Sequence, residues 1–172
     1  MEDTNKREHP EFNFVQLFVQ TYQEKKKQGT YDKETLYSIQ APGVNQSTYA
    51  DCEIVCGNAI IKVEAKLLND TLGNSSSFYN LIGELIGVIN KPSLLQTKGV
   101  TTKEISNGIL IPEESKTKFV ELWKKNIKPN GVKYCKAFNV KYLITFDESN
   151  KNIQLFSLAE ESEEWKKQGD TI

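Results

Sequence analysis

Two carboxylates and one lysine, Asp51, Glu64 and Lys66, are the residues of this chain best suited to chemistry by type and spacing. Apolar and polar residues alternate through Ala59–Leu68, which predicts a β-strand with Glu64 and Lys66 on one face. Asp51 begins the preceding strand, and the pair Gly57-Asn58 suits the tight turn of a hairpin. We therefore expect two antiparallel strands that bring Asp51 close to Glu64.

Two neighbouring carboxylates repel each other unless a cation lies between them, and hard oxygen ligands of this kind suit Mg²⁺ or Mn²⁺. Lys66 could then orient or deprotonate a water, or stabilise the negative charge of a pentavalent phosphate. The pattern indicates metal-dependent hydrolysis of a phosphodiester bond. The alternative is a solvated strand face on which Glu64 and Lys66 form an ion pair of little energetic value.

The same three residues resemble the motif of the PD-(D/E)xK nuclease superfamily, in which an Asp on one strand is followed by Glu-x-Lys on the next. Ala50 stands where that motif often has a proline. The resemblance implies a restriction-endonuclease-like fold, with Mg²⁺ or Mn²⁺ bound by Asp51 and Glu64. It implies a catalytic role for Asp51, Glu64 and Lys66 together.

A helix is predicted over Phe78–Asn90, where Gly83 and Gly87 favour close approach of the sheet or a ligand. The superfamily often carries a polar residue on the helix after the Glu-x-Lys strand. Asn80 and Glu84 are similar to it, and Glu84 is the better candidate for positioning the lysine. The expected core-facing residues are Phe78, Leu81, Ile82, Leu85, Ile86 and Ile89.

A first helix is predicted from Pro10 to Lys27. Such a helix sometimes supplies another acidic ligand in the superfamily. Glu11 and Glu24 are the candidates here, and their spacing selects neither. The two predicted helices and the Glu-x-Lys strand should share one buried core made of Phe14, Phe18, Ile61, Val63, Leu81 and Leu85.

The other predicted elements complete the order αβββαβαββ, which fits a single-domain α/β sandwich with a central mixed sheet flanked by helices. We expect residues 1–172 to form this domain, with 1–9 and 160–172 at its periphery. The tail is expected to end in a short helix carrying Trp165. Strands are predicted at Thr35–Gln40, Ile109–Ile111, Val140–Phe146 and Ile153–Leu158, and a further helix begins at Pro112.

The charge of the chain limits how it could contact nucleic acid. The 172 residues carry a formal net charge of −1, and Arg7 is the only arginine. General attraction to polyanions is therefore excluded, so that any phosphate-binding surface must be local. A single arginine also leaves little capacity for bidentate recognition of guanine.

Cys52, Cys56 and Cys135 cannot all pair, and we expect reduced core thiols. A C-x₃-C metal site is the alternative, although His9 is the only histidine and lies in a polar segment. No apolar run is long enough to span a membrane, and the N-terminus lacks the apolar part of a signal peptide. We expect a cytoplasmic protein, or a nuclear one if the source is eukaryotic, without a membrane partner.

Two functions from different classes follow. The first is a divalent-metal-dependent nuclease, most simply an endonuclease, that acts on nucleic acid with DNA favoured over RNA. The second is a non-catalytic nuclease-like module that binds a protein or nucleic-acid partner. The sequence leaves the substrate's specificity and the oligomeric state open, a homodimer included.

Overall fold

The computed structural model describes residues 10–28, 38–39, 48–56, 58–68, 75–101 and 104–168. Within these residues the chain is an α/β protein with one mixed β-sheet, as the sequence predicts. The five α-helices of the described residues are α1 (Pro10–Gln28), α2 (Ser75–Val88), α3 (Leu94–Thr97), α4 (Lys116–Asn126) and α5 (Gly131–Ala137), and a 3₁₀ turn, Glu113–Ser115, precedes α4.

The sheet is open, and its strands follow one another in chain order from edge to edge. The first three strands pair antiparallel with one another, and so do the last three. The third, fourth and fifth strands run parallel. In the described chain there are six strands of four or more residues and one two-residue edge strand. They are β1 (Ser38–Ile39), β2 (Cys52–Cys56), β3 (Ala59–Ala65), β4 (Glu104–Pro112), β5 (Val140–Asp147), β6 (Asn152–Ala159) and β7 (Glu164–Lys167).

Helices cover both faces of the sheet. The two parallel connections require crossovers, and these carry α2 with α3 and α4 with α5. One buried cluster contains α2, α4 and α5 side chains, and the other contains those of α1. The central strands β3 and β4 are consequently buried on both faces over most of their length, and the buried residues include the polar ones Lys62, Glu64, Ser106 and Asn107.

The six residues predicted to form one core are all buried, but the prediction of a single core is wrong. Successive residues of β3 point to opposite faces of the sheet, so the helices packed on those faces do not share a core. Phe14, Phe18, Ile61 and Val63 lie in the α1 cluster, and Leu81 and Leu85 lie in the α2 cluster.

The helix predicted over Phe78–Asn90 begins three residues earlier, at Ser75, and ends at Val88. Two of its expected core residues are instead exposed, Ile86 by 50 % and Ile89 by 40 %. Apart from the neighbouring residues and the backbone of the helix itself, no described atom lies within 4 Å of a Cβ built at either Gly83 or Gly87. The described part of the sheet therefore does not approach this side of α2 closely, and approach of a ligand stays a prediction.

The tail departs most from its predicted structure. The segment expected to be helical forms strand β7, which pairs antiparallel with β6. Trp165 is buried against Trp123 and Phe119, with ring centroids 5.2 and 6.2 Å apart respectively. Its neighbours Glu164 and Lys166 are exposed, and this alternation of exposure is that of a strand at the edge of a sheet.

Several expectations lie partly outside the described residues. The predicted strand Thr35–Gln40 is represented by β1 alone, and residues 1–9 and Gly57 are not described. The predicted hairpin of β5 and β6 is confirmed, whereas α5 was not predicted. The single-domain organisation stays a prediction. Among the described helices, none combines the length and apolar character that a membrane span requires.

Candidate functional site

The strand register places Asp51 beside Glu64. Cys52 is paired with Val63 in the antiparallel β2–β3 ladder, so Asp51, one residue earlier, lies opposite Glu64. The Asp51 carboxylate accepts a hydrogen bond of 2.8 Å from the backbone N–H of Ala65. This bond holds the residue that precedes β2 against β3 and keeps the carboxylate of Asp51 next to that of Glu64.

Glu64 lies in an environment that opposes its negative charge. Only 3 % of the residue is exposed. Burial raises the pKa of Glu64, and the nearby charge of Asp51 raises it further, to about 8, although Lys91 acts in the opposite direction. Burial also raises the pKa of Asp51, against the hydrogen bond from Ala65. The two carboxylates therefore share a poorly solvated site in which each disfavours ionisation of the other.

Lys66 follows β3 and reaches two helices. Its ammonium donates to both carboxylate oxygens of Glu84, at 3.0 and 3.4 Å, and lies 3.6 Å from the Glu11 carboxylate. Burial by itself lowers the pKa of Lys66, but the hydrogen bond to Glu84 and the charge of Glu11 outweigh this effect and raise it. Lys66 consequently stays protonated at neutral pH, which favours charge stabilisation over the proton-accepting role.

Glu84 and Asn80, the two residues of α2 that were expected near the lysine, lie in different surroundings. Glu84 contacts Lys66, as a lysine-positioning residue would. Asn80 lies one turn earlier on the same helix and is exposed. The catalytic and positioning roles of all these residues stay predictions, because the structure shows their arrangement and not their activity.

Glu11 joins the site from the first turn of α1, a position that the sequence could not select. Burial raises the pKa of Glu11, Lys66 lowers it, and Asp51 raises it again, so the three groups are electrostatic neighbours. Glu24 lies 13 residues further along the same helix, roughly 20 Å away along its axis. The turn that holds Glu11 faces the end of β3 and the turn that holds Glu24 does not.

Lys91 was not predicted to belong to the site. Its ammonium donates a hydrogen bond of 2.8 Å to Glu64. In the sequence, Lys91 precedes Pro92, and this position indicates only the end of a helix. Its proximity to Glu64 depends on how the chain turns after α2, and no local pattern reports that turn.

Lys62 and Glu53, two buried charged residues on the same face of the sheet, hold the turn that follows α2. Lys62 donates to the backbone carbonyls of Val88, at 2.8 Å, and of Lys91, at 3.0 Å. Burial lowers the pKa of Lys62, and the neighbouring Glu53 opposes this effect. Lys62 thus donates to the last carbonyl group of α2, which also accepts from the N–H of Lys91, and to the carbonyl group of Lys91 in the turn that follows.

Glu53 lies opposite Lys62 in the β2–β3 ladder and fastens the next part of the chain. Its carboxylate accepts hydrogen bonds of 2.9 to 3.0 Å from the Ser93 hydroxyl and from the backbone N–H groups of Leu94 and Leu95. These N–H groups begin α3 and have no partner within the helix. The turn after α2 is therefore tied to the sheet on both sides of Lys91.

The charges around Lys66 are not balanced by the described residues. The four carboxylates of Glu11, Asp51, Glu64 and Glu84 face two ammonium groups, those of Lys66 and Lys91. When all are ionised, as they would be with a cation bound, two negative charges are left uncompensated, whereas in the metal-free protein at neutral pH a proton on Glu64 removes one of them. A divalent cation would supply the missing charge.

The carboxylates of Asp51 and Glu64 are ligands of the kind that Mg²⁺ or Mn²⁺ prefers, but two carboxylates alone do not complete the coordination of such an ion. No group of three or more His, Cys, Asp or Glu residues in the described chain is arranged to hold a metal ion. Magnesium, however, commonly binds through one or two carboxylates and completes its shell with water and substrate phosphate. Asp51 and Glu64 fit that mode. The three cysteines are free thiols, of which Cys52 and Cys135 are buried and Cys56 is partly buried, and none of them belongs to a metal-binding group among the described residues.

No protein family, curated protein or solved structure matches this chain. The resemblance to the PD-(D/E)xK superfamily therefore depends on the motif residues and on the geometry around them. The fold-level agreement consists of the α/β class and the mixed sheet.

Proposed function

We propose that this protein is a divalent-metal-dependent nuclease that hydrolyses phosphodiester bonds, with DNA as the first substrate class. The observation that supports this function is the uncompensated charge beside Lys66, where Asp51 lies opposite Glu64. The element order agrees with the predicted order αβββαβαββ, which the resemblance to the superfamily would also imply, apart from the added elements α3, α5 and β7.

In the proposed reaction each residue has a separate task. Asp51 and Glu64 would hold one Mg²⁺ or Mn²⁺, and the bound ion would supply Lewis-acid activation of water and of a phosphoryl oxygen. Lys66, kept protonated by its acidic neighbours, stabilises the negative charge that develops on the phosphate. Glu84 and Glu11 orient the Lys66 ammonium, and Ala65 orients Asp51 through its N–H group.

A cleavage assay with two matched substitutions tests this function. The purified protein should cleave at least one of single-stranded, duplex or branched DNA or RNA in Mg²⁺ or Mn²⁺. Both Lys66→Met and Glu64→Gln should lower the cleavage rate by about a hundredfold or more. Manganese binding should survive in Lys66→Met, because an ammonium is not a metal ligand, and should be lost in Glu64→Gln. Lys118→Met, at an exposed lysine of α4, is the control and should cleave normally.

One observation favours a second candidate, a non-catalytic nuclease-like module that binds a protein or nucleic acid. Lys91 already gives Glu64 a cationic partner, so the buried carboxylate does not depend on a metal for one. A wild-type protein that binds no Mn²⁺ and cleaves none of the substrates would support this module and contradict the nuclease.

A further inference from the structure

The contact between Lys91 and Glu64 is short and largely shielded from water. The two charged atoms are 2.8 Å apart, and only 15 % of the Lys91 side chain and 4 % of the Glu64 side chain are exposed. Such a short, charge-assisted contact in a poorly solvated place is stronger than an ion pair on the surface. Lys91 also lowers the pKa of Asp51 through its charge, so its ammonium lies near both carboxylates.

The backbone around Lys91 is held in place by the sheet. Lys62 binds the carbonyl group of Lys91 itself, and Glu53 binds the hydroxyl and N–H groups of the residues that follow Pro92. A surface lysine without a role does not need two buried charged residues to fix its main chain. The fixed backbone keeps the ammonium within reach of Glu64, while the long side chain can still move away.

We propose that the Lys91 ammonium occupies the cation position beside Glu64 in the metal-free protein, and that a divalent cation must displace it to bind. The inference depends on the proposed metal site of Asp51 and Glu64. A divalent ion on Glu64 would lie within a few ångströms of the ammonium, where like charges repel strongly because solvent screening is weak. Lys91 therefore lowers the affinity of the site for metal and keeps the buried carboxyl group of Glu64 hydrogen-bonded when no metal is bound.

Calorimetric titration of Mn²⁺ into the chelator-treated protein tests this competition, and the titration is repeated in a second buffer so that the protons released from Glu64 are counted and the affinity of the ionised site is obtained. Lys91→Met removes the ammonium and keeps most of the side-chain volume, and should tighten Mn²⁺ binding by about tenfold, the effect of one charge-assisted hydrogen bond. Lys91→Arg keeps the charge and should stay within about twofold of the wild type. Lys118→Met makes the same change of net charge at an exposed position and should leave the affinity unchanged.

An equal or weaker affinity of folded Lys91→Met would overturn the inference. Lys91→Gln, neutral but still able to donate to Glu64, should show the same direction of change and replaces Lys91→Met if circular dichroism shows that variant to be unfolded. The failure of the proposed metal site has a different signature, in which the wild type binds no Mn²⁺ or Glu64→Gln binds it equally well. A wild type that binds Mn²⁺ through Glu64, with Lys91→Met unchanged, would leave the nuclease standing and remove only the competition.

Discussion

At Glu64, burial of the side chain opposes the negative charge of the carboxylate. Its carboxylate is nearly inaccessible to water, faces Asp51, and has the Lys91 ammonium as its hydrogen-bonding partner. Glu84 adds another negative charge nearby. A carboxylate in such a place is costly to the folded protein whenever it is ionised.

The stability of the metal-free protein should therefore depend on pH through Glu64. Its pKa of about 8 when folded exceeds the ordinary 4.5, so the folded state binds more protons between these values. Stability consequently falls as the pH rises through that window and does not recover above it. In Glu64→Gln this loss should shrink by about 2 kcal/mol or more.

The measurement is urea unfolding with a chelator present, at pH 5 and pH 8.5. Asp51 and Glu11 also have raised pKa values and titrate in both proteins. Because Asp51 lies beside Glu64, the difference between the two slopes measures Glu64 together with its coupling to Asp51. Parallel loss of stability in the wild type and the variant would show that Glu64 does not titrate in this range.

The residues of the site differ in how far the sequence could identify them. Asp51, Glu64 and Lys66 could be predicted, because a two-residue turn and the alternation along β3 are local features. Lys91 and Glu11 could not, since their positions depend on where a turn and a helix end lie against the sheet. Three-dimensional packing of that kind leaves no periodic pattern in the sequence.

Strands β2 and β3 carry charged residues on a face that α2 and the turn after it cover. Alternation of polar and apolar residues usually indicates a face open to water, but Glu53 and Lys62 are both buried. Their partners are backbone groups at the end of α2 and the start of α3. The alternation predicted the face of each side chain correctly and could not predict what covers that face.

Glu53→Ala should destabilise the protein by about 3 kcal/mol or more, because it removes three hydrogen bonds and the opposite charge that acts most strongly on the buried Lys62. Chemical denaturation monitored by circular dichroism gives the free energy of unfolding. Glu121→Ala, at an exposed position of α4, should change it by no more than about 0.5 kcal/mol. Similar small effects of both substitutions would mean that Glu53 does not hold the turn.

Across the whole molecule, one sheet separates two cores, and the C-terminal strand belongs to the sheet. The class of fold could be predicted because long helices and strands have strong periodic patterns. The four-residue strand β7 is too short for such a pattern, and its structure is determined by pairing with β6. The division of the core into two could not be read from apolar residues alone, since both faces of β3 are apolar in part.

Trp165→Ala should lower the free energy of unfolding by about 3 kcal/mol or more, because it opens a cavity beside Trp123 and Phe119. Lys166→Ala changes the adjacent, exposed residue of the same strand and should have an effect below about 0.5 kcal/mol. Thermal or denaturant unfolding of the two variants makes the comparison. Equal and small effects would place the tail outside the core.

Crystals grown with Mn²⁺ would locate the metal through its anomalous scattering. We predict one peak between the carboxylates of Asp51 and Glu64, at distances close to the roughly 2.1 Å typical of Mg²⁺ and oxygen, with Lys91 moved away from Glu64. The absence of a peak there at a saturating concentration of Mn²⁺, with the Lys91–Glu64 pair intact, would contradict the proposed metal site.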